Sequence, residues 1–258
     1  MTDKNEMAKE GGHYYNYDGS TAYEVPYADK SKGMRKTTLR DAKKLNLYPS
    51  VTTVLNVLAK PGLERWKQNN LLMSALTLPH IDGESLDDYA KRVTVDAADQ
   101  AKAAAERGTY IHGSLERFYS TGEVVDEHVA IVEGVADEIL DTFGYQNWCA
   151  EKSFTCLDLG YGGKIDLHSD EWIIDFKTKE FGPDDKVIGY DEQAIQLAAY
   201  RRGLDKPSAK LANVFVSVTH PGLVKIHVWD EERDYLQPFI LTLALWQWQK
   251  QYHPKGSL

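Results

Sequence analysis

The chain has little of several things, and each shortage narrows what it does. Only two cysteines, Cys149 and Cys156, occur in 258 residues, too few for a disulfide framework or for four-thiolate metal ligation within one chain. No apolar run approaches the roughly 20 residues of a membrane-spanning helix, and at 27% charged residues the composition is not that of a membrane protein. The polar Met1–Gly12 segment has no apolar core of the kind a secretory signal needs. A cytoplasmic protein is expected, in a bacterial cell or a phage-infected host. Basic residues are the minority, 30 against 39 acidic for a net charge of −9, which argues against coating long duplex DNA by general electrostatics. A local grip on a short strand stays open.

What is present suffices for one well-packed domain, with 42% hydrophobic residues and a length that buries a sizeable core. The most informative stretch is Gly162 to Lys179, GGKIDLHSDEWIIDFKTK. β-Branched and aromatic residues alternate with polar ones on both sides of Ser169, Asp170 and Glu171, which predicts a β-hairpin. In its second strand, period two puts Ile173, Asp175 and Lys177 on one face and Trp172, Ile174, Phe176 and Thr178 on the other. Opposed residues of an antiparallel pair share a face, and their numbers sum to a constant. An odd sum, from a loop of two or four residues, brings Asp166 onto the face of Asp175, while an even sum separates them. Two carboxylates at that distance repel unless a cation lies between them or one is protonated.

An all-oxygen site of this kind suits a hard ion such as Mg²⁺ or Mn²⁺, which binds one or two carboxylates together with phosphate oxygens. A lysine beside it orients an attacking water or neutralises charge growing on the phosphate. The plainer alternative is a solvated ion pair between Asp175 and Lys177.

The rest of the chain is expected to surround this hairpin. An Asp18-Gly19 turn between tyrosine-rich flanks suggests an N-terminal hairpin. Residues 30–44 carry seven basic residues against the single acid Asp41, either a solvated segment or a phosphate-contacting arm. Ser50 is an N-cap candidate before VTTVLNVL, and Pro61-Gly62 precedes a second helix. Residues 84–107 read as a long helix that Gly108 interrupts before another from Thr109 to Tyr119, on which His112 and Glu116 share a face. WCAEKSFTCLDLG supplies the first core strand. DEQAIQLAAYRRG reads as a helix closed by Gly203 with Gln196 and Tyr200 four apart. A last hairpin and an apolar helix, with Pro238 in its first turn, complete the chain.

GGKIDL, then IIDFKTK, then QLAAY, in that order, resembles the PD-(D/E)xK nuclease superfamily, in particular its RecB-like exonuclease branch. YPSVTTVL, LERWKQ and RGTYIHGSLE are similar to the mitochondrial genome-maintenance exonucleases and their phage relatives. The resemblance covers Tyr48 to Gly203. It implies an α/β fold with a restriction-endonuclease-like αβββαβ core, a mixed central sheet flanked by helices, in residues 48–258, preceded by an appendage in residues 1–47.

It further implies a Mg²⁺- or Mn²⁺-dependent DNA exonuclease acting on single-stranded or tailed ends in recombination, repair or replication. Asp166, Asp175, the Phe176 carbonyl and His112 would hold the metal, with Lys177 and Glu151 completing the catalytic set. Gln196, Tyr200, Ser50 and Thr52 would contact the strand. DNA is the expected partner, with a recombination or single-strand-binding protein as a further one. Some relatives carry a four-cysteine iron–sulfur cluster, which two cysteines cannot build. The alternatives are a structure-specific endonuclease and a non-catalytic, DNA-end-binding recombination accessory.

Overall fold

The computed structural model describes residues 12–256, so the polar segment at residues 1–11 lies outside it. The elements in chain order are β1 (Tyr14–Tyr15), β2 (Glu24–Pro26), a 3-10 turn at Lys30–Lys32, β3 (Met34–Lys36), α1 (Leu39–Leu45), β4 (Tyr48–Pro49), α2 (Val51–Leu55), α3 (Pro61–Thr77) and α4 (Leu86–Thr121). A second 3-10 turn at Asp126–His128 leads into α5 (Val129–Phe143), β5 (Cys149–Cys156), β6 (Tyr161–His168), β7 (Trp172–Lys179), α6 (Asp191–Gly203), β8 (Lys210–Ser217), β9 (Val224–Val228) and α7 (Leu236–Lys250). No helix among the described residues is long and apolar enough to cross a membrane.

The chain divides into two compact units, Met1–Val57 with Ser114–Leu258, and Leu58–Gly113. The described part of the segment read as an appendage, residues 12–47, thus belongs to the same unit as the sheet. The second unit consists of α3 and the first 28 residues of α4 with their connection, held by Tyr89 Oη donating to the Ala75 carbonyl at 2.5 Å and by Arg92 bound to Glu84.

The first unit is built on a five-stranded mixed sheet in the order β5-β6-β7-β8-β9, with β7 and β8 parallel and the other pairs antiparallel. The fold is therefore α/β, and both faces of β7 are covered. On one, Trp172 meets Phe143 of α5 at 4.4 Å between ring centroids, and Phe176 stacks on Tyr119 at 6.3 Å. On the other, Asp175 meets α6. Burial on both sides explains the near-continuous apolar runs of β7 and β8.

One expectation about the helices needs correcting. Gly108 does not interrupt the helical pattern, because α4 runs unbroken from Leu86 to Thr121; one glycine costs only about 1 kcal/mol against alanine, and the run AADQAKAAAER outweighs it. At the N-terminus the expected hairpin forms around Asp18-Gly19, with Gly19 at φ +85°, an antiparallel bridge from Tyr15 to Thr21 and the Ala22 amide donating to the Tyr14 carbonyl at 2.8 Å, while β1 also pairs with β4. The basic run is folded, β3 pairing with β2 and Arg35 gripping Asp41 with two nitrogens at 2.6 and 2.8 Å.

The helix α6 spans Asp191–Gly203 as expected, although its cap is Leu204 in a right-handed conformation and Gly203 does not adopt a left-handed backbone. The smallness of Gly203 is needed for packing instead. A Cβ there would lie inside the Phe154 ring, which also presses on Gly163, and Phe154 meets Tyr161 and Tyr200 edge-on. Gly203→Ala should therefore destabilise the chain by about 1–3 kcal/mol through overpacking, read as a lower urea midpoint. An unchanged midpoint would mean that Phe154 moves aside at no cost.

Candidate active site

The β6–β7 hairpin has the odd register. Leu167 faces Ile174 and His168 faces Ile173, and Ser169 N–H donates to the Trp172 carbonyl at 2.9 Å, leaving a two-residue loop of Asp170 and Glu171. One step further along the same register sets Asp166 beside Asp175. On the other side of β6, the pairs Ala150↔Leu167 and Lys152↔Ile165 bracket Glu151 and Asp166. β8 continues the row, since Asp175 pairs with Asn213. Glu151, Asp166, Asp175 and Asn213 thus form one line across four strands.

The two strands of the hairpin part at this row. In a regular ladder the Phe176 amide would reach a β6 carbonyl; here it donates to Asp166 Oδ2 at 2.8 Å. The N–H and C=O of one strand residue project from the same edge, so the Phe176 carbonyl faces the same gap. Glu151 bends its strand locally, with φ +54°, and its carboxylate is paired with Lys164 of β6.

Asp175 is only 4% exposed, yet it is well supplied with donors. Gln196 Nε2 reaches Oδ1 at 2.8 Å, while Asn213 Nδ2 and Lys177 Nζ reach Oδ2 at 2.9 and 2.7 Å. A buried carboxylate without such donors would be strongly disfavoured as an anion. Burial acts to lower the Lys177 pKa, but the charge and hydrogen bond of Asp175, helped by Asp166 and Glu192, overcome it and hold the ammonium above its ordinary value. Burial, then the charges of Asp175 and Asp166, push the Tyr200 hydroxyl well above the ordinary tyrosine range.

Gln196 and Tyr200, singled out as strand contacts, are both buried. Gln196 donates to Tyr200 Oη at 2.9 Å as well as to Asp175, so Gln196 touches the carboxylate and Tyr200 is joined to it through Gln196. Ser50 caps α2 by accepting the Thr53 amide at 2.9 Å, and its backbone bridges to Gly162 of β6; Thr52 stands exposed on the same turn. The structure therefore brings Glu151, Asp166, Asp175, Phe176, Lys177, Gln196 and Tyr200 together and sets Ser50 beside the start of β6. His112 lies on α4 within the second unit.

Sequence reasoning missed Asn213. It is fully buried, and its Oδ1 accepts Trp229 Nε1–H at 2.8 Å, which fixes which way its amide points and so aims Nδ2 at Asp175. The signal was a lone amide inside the apolar run LANVFVSV, a polar residue that a buried strand carries only with partners. Lys164 was missed as well, since a lysine on a strand reads as solvated until a carboxylate is found beside it.

The donor set at the row is all oxygen, two neighbouring carboxylates and a carbonyl, which fits a hard divalent cation that completes its shell with water and phosphate. Lys177 Nζ already occupies a cation's place beside Asp175. Among the described residues no group of three or more His, Cys, Asp or Glu side chains converges as a metal cage.

No family model matches the chain, and no curated protein does. Among solved structures, one described as "Crystal structure of SSO0001" aligns with 75% of this chain and 89% of its own length at 14% identity, with a TM-score of 0.35. A likeness at that level carries no argument about fold or function.

Proposed function

We propose that the chain is a divalent-metal-dependent deoxyribonuclease of the PD-(D/E)xK type, with the αβββαβ arrangement of α5, β5, β6, β7, α6 and β8 as its restriction-endonuclease-like core. The observation that carries this reading is the row of Glu151, Asp166 and Asp175 across three strands, with Lys177 paired to Asp175 in a gap where β6 and β7 separate. Acids lined up inside a sheet are costly unless they serve a cation. Asp166, Asp175 and the Phe176 carbonyl would hold Mg²⁺ or Mn²⁺. When bound, the ion supplies Lewis-acid stabilisation of the charge that grows on the phosphate.

The chain's own groups supply the rest. Gln196 and Asn213 fix the Asp175 carboxylate so that its remaining lone pairs face the gap. Lys177, beside Asp175, would position the attacking water in line with the phosphorus and neutralise charge on the phosphate oxygens. Lys164 holds Glu151 at the end of the row.

A chain with net charge −9 gains little from broad phosphate neutralisation, so the proposed substrate is a single strand entered from an end. The test compares a linear single strand with a covalently closed circle of the same sequence in Mg²⁺ and in Mn²⁺. Release of nucleotides from the linear strand alone, abolished by EDTA, is the expected result. Equal rates on both would make the enzyme an endonuclease, and no metal-dependent cleavage of either would reject the nuclease reading.

A further inference from the structure

Along β7 the face that meets α6 carries Asp175, Lys177 and Lys179, one every second residue and so about 6.6 Å apart. The first two belong to the proposed active site. Lys179 differs from the cations around it. Lys177 and Lys164 face carboxylates, and Lys225 of β9 is held by main-chain oxygen, at 2.8 Å from the Pro183 carbonyl. Lys179 makes no ion pair among the described residues. Its ammonium lies instead over two rings, 5.2 Å from the centroid of Tyr190 and 5.7 Å from that of Phe215.

The two rings play different parts. Phe215 is buried and is the β8 partner of Lys177, so it forms the floor between the two lysines. Tyr190 stands 39% exposed at the start of α6, and its backbone is pinned, its amide donating to Gln193 Oε1 at 3.0 Å while its carbonyl accepts the Gln193 amide at 2.8 Å. Two of the acids in this region are engaged elsewhere, Asp191 by Arg233 at 3.0 and 2.6 Å and Asp185 by the Gly182 amide at 2.7 Å. An ammonium with no ion pair among the described residues, backed by a pinned and partly exposed tyrosine, is equipped for an anion attached to a flat apolar group.

We infer that Lys179 and Tyr190 form a nucleotide subsite one step from the scissile phosphate, Lys179 taking a backbone phosphate and Tyr190 stacking on the base. The inference rests on the nuclease reading, which puts the scissile phosphate beside Asp175 and Lys177. The two-residue step from Lys177 to Lys179 is close to the phosphate spacing of an extended single strand, and a base stacks on a side-chain ring only when it is unpaired. The ligand class is therefore a single nucleic-acid strand.

Binding of a fluorescently labelled 12-mer oligothymidylate, followed by anisotropy in EDTA from 50 to 300 mM KCl, tests this without cleavage. One lost phosphate contact flattens the plot of log affinity against log salt by about 0.7 for a single strand. Lys179→Gln should show that change. Lys210→Gln, at the far end of the sheet and paired with Glu231 in the native chain, should not.

Tyr190→Leu should weaken binding about tenfold, within the range for loss of one stacked base, and leave the slope unaltered; Tyr190→Phe should keep the affinity. Circular dichroism melts confirm that each variant is folded. An unchanged slope in Lys179→Gln, equal losses in the two Tyr190 variants, or no binding of the strand by the native chain would each overturn the subsite.

Cleavage is read separately. A chain that releases nucleotides while Lys179→Gln keeps the full slope retains its active site and loses the subsite. One that shows both expected binding effects but never cleaves keeps the subsite as a binding feature and loses the reaction.

Discussion

Asp175→Asn is expected to lower metal-dependent nucleotide release on the order of 10³-fold or more. Loss of a single hydrogen-bond donor to a developing charge already costs about 10²–10³ in rate, and a metal ligand contributes at least as much. The substitution will also be felt in folding. Lys177, Gln196 and Asn213 all donate to this carboxylate, so an amide in its place turns an NH₂ toward at least one donor and costs about 1–3 kcal/mol. A lower melting temperature with a fully folded chain at 25 °C and no cleavage is the predicted combination. Turnover near the native rate would remove Asp175 from the site.

Lys177→Ala should lower turnover by about 10²–10³, as expected when a cation facing the transition state is removed. Its effect on metal binding should have the opposite sign. In the apo chain the ammonium neutralises Asp175 at 2.7 Å and competes with any incoming ion. Without it, Asp175 and Asp166 are less compensated in the empty protein, and a divalent ion relieves more. The variant should melt lower than the native chain in EDTA and gain more from Mn²⁺, because a ligand that binds only the folded state stabilises it according to its affinity. Differential scanning fluorimetry across a Mn²⁺ series reads both quantities. A melting temperature insensitive to Mn²⁺ in native and variant chains alike would put the ion, if any binds, away from Lys177.

Much of this site was legible before any coordinates because strand geometry is strict. Period two settled which residues of β7 share a face, and the short polar interval Ser169 to Glu171 confined the loop to a few lengths, of which two and four residues keep Asp166 with Asp175; the structure has two. Neighbours that meet only through the fold were not legible. Asn213 follows Asp175 by 38 residues and Trp229 lies 16 beyond that, and no local pattern couples them. Gln196 and Tyr200 were found at the right spacing, but their contact with Asp175 was not legible, since a helix period says which residues share a face and not what that face meets.

Glycines misled for a related reason. Gly108 and Gly203 were read by backbone freedom, whereas Gly203 is there to admit the Phe154 ring, and Gly162 and Gly163 of the motif lie against the rings of Tyr15, Phe154 and Tyr200. That demand is tertiary, and propensity does not contain it.

The central claim is that Asp166 and Asp175 hold one divalent ion between β6 and β7. Crystals soaked in Mn²⁺ and measured for anomalous scattering test it most directly. The account predicts one peak within bonding distance of a carboxylate oxygen from each of the two residues, with Lys177 Nζ displaced from Asp175. A peak that touches neither residue, or a Lys177–Asp175 pair left intact beside an empty gap, would contradict it.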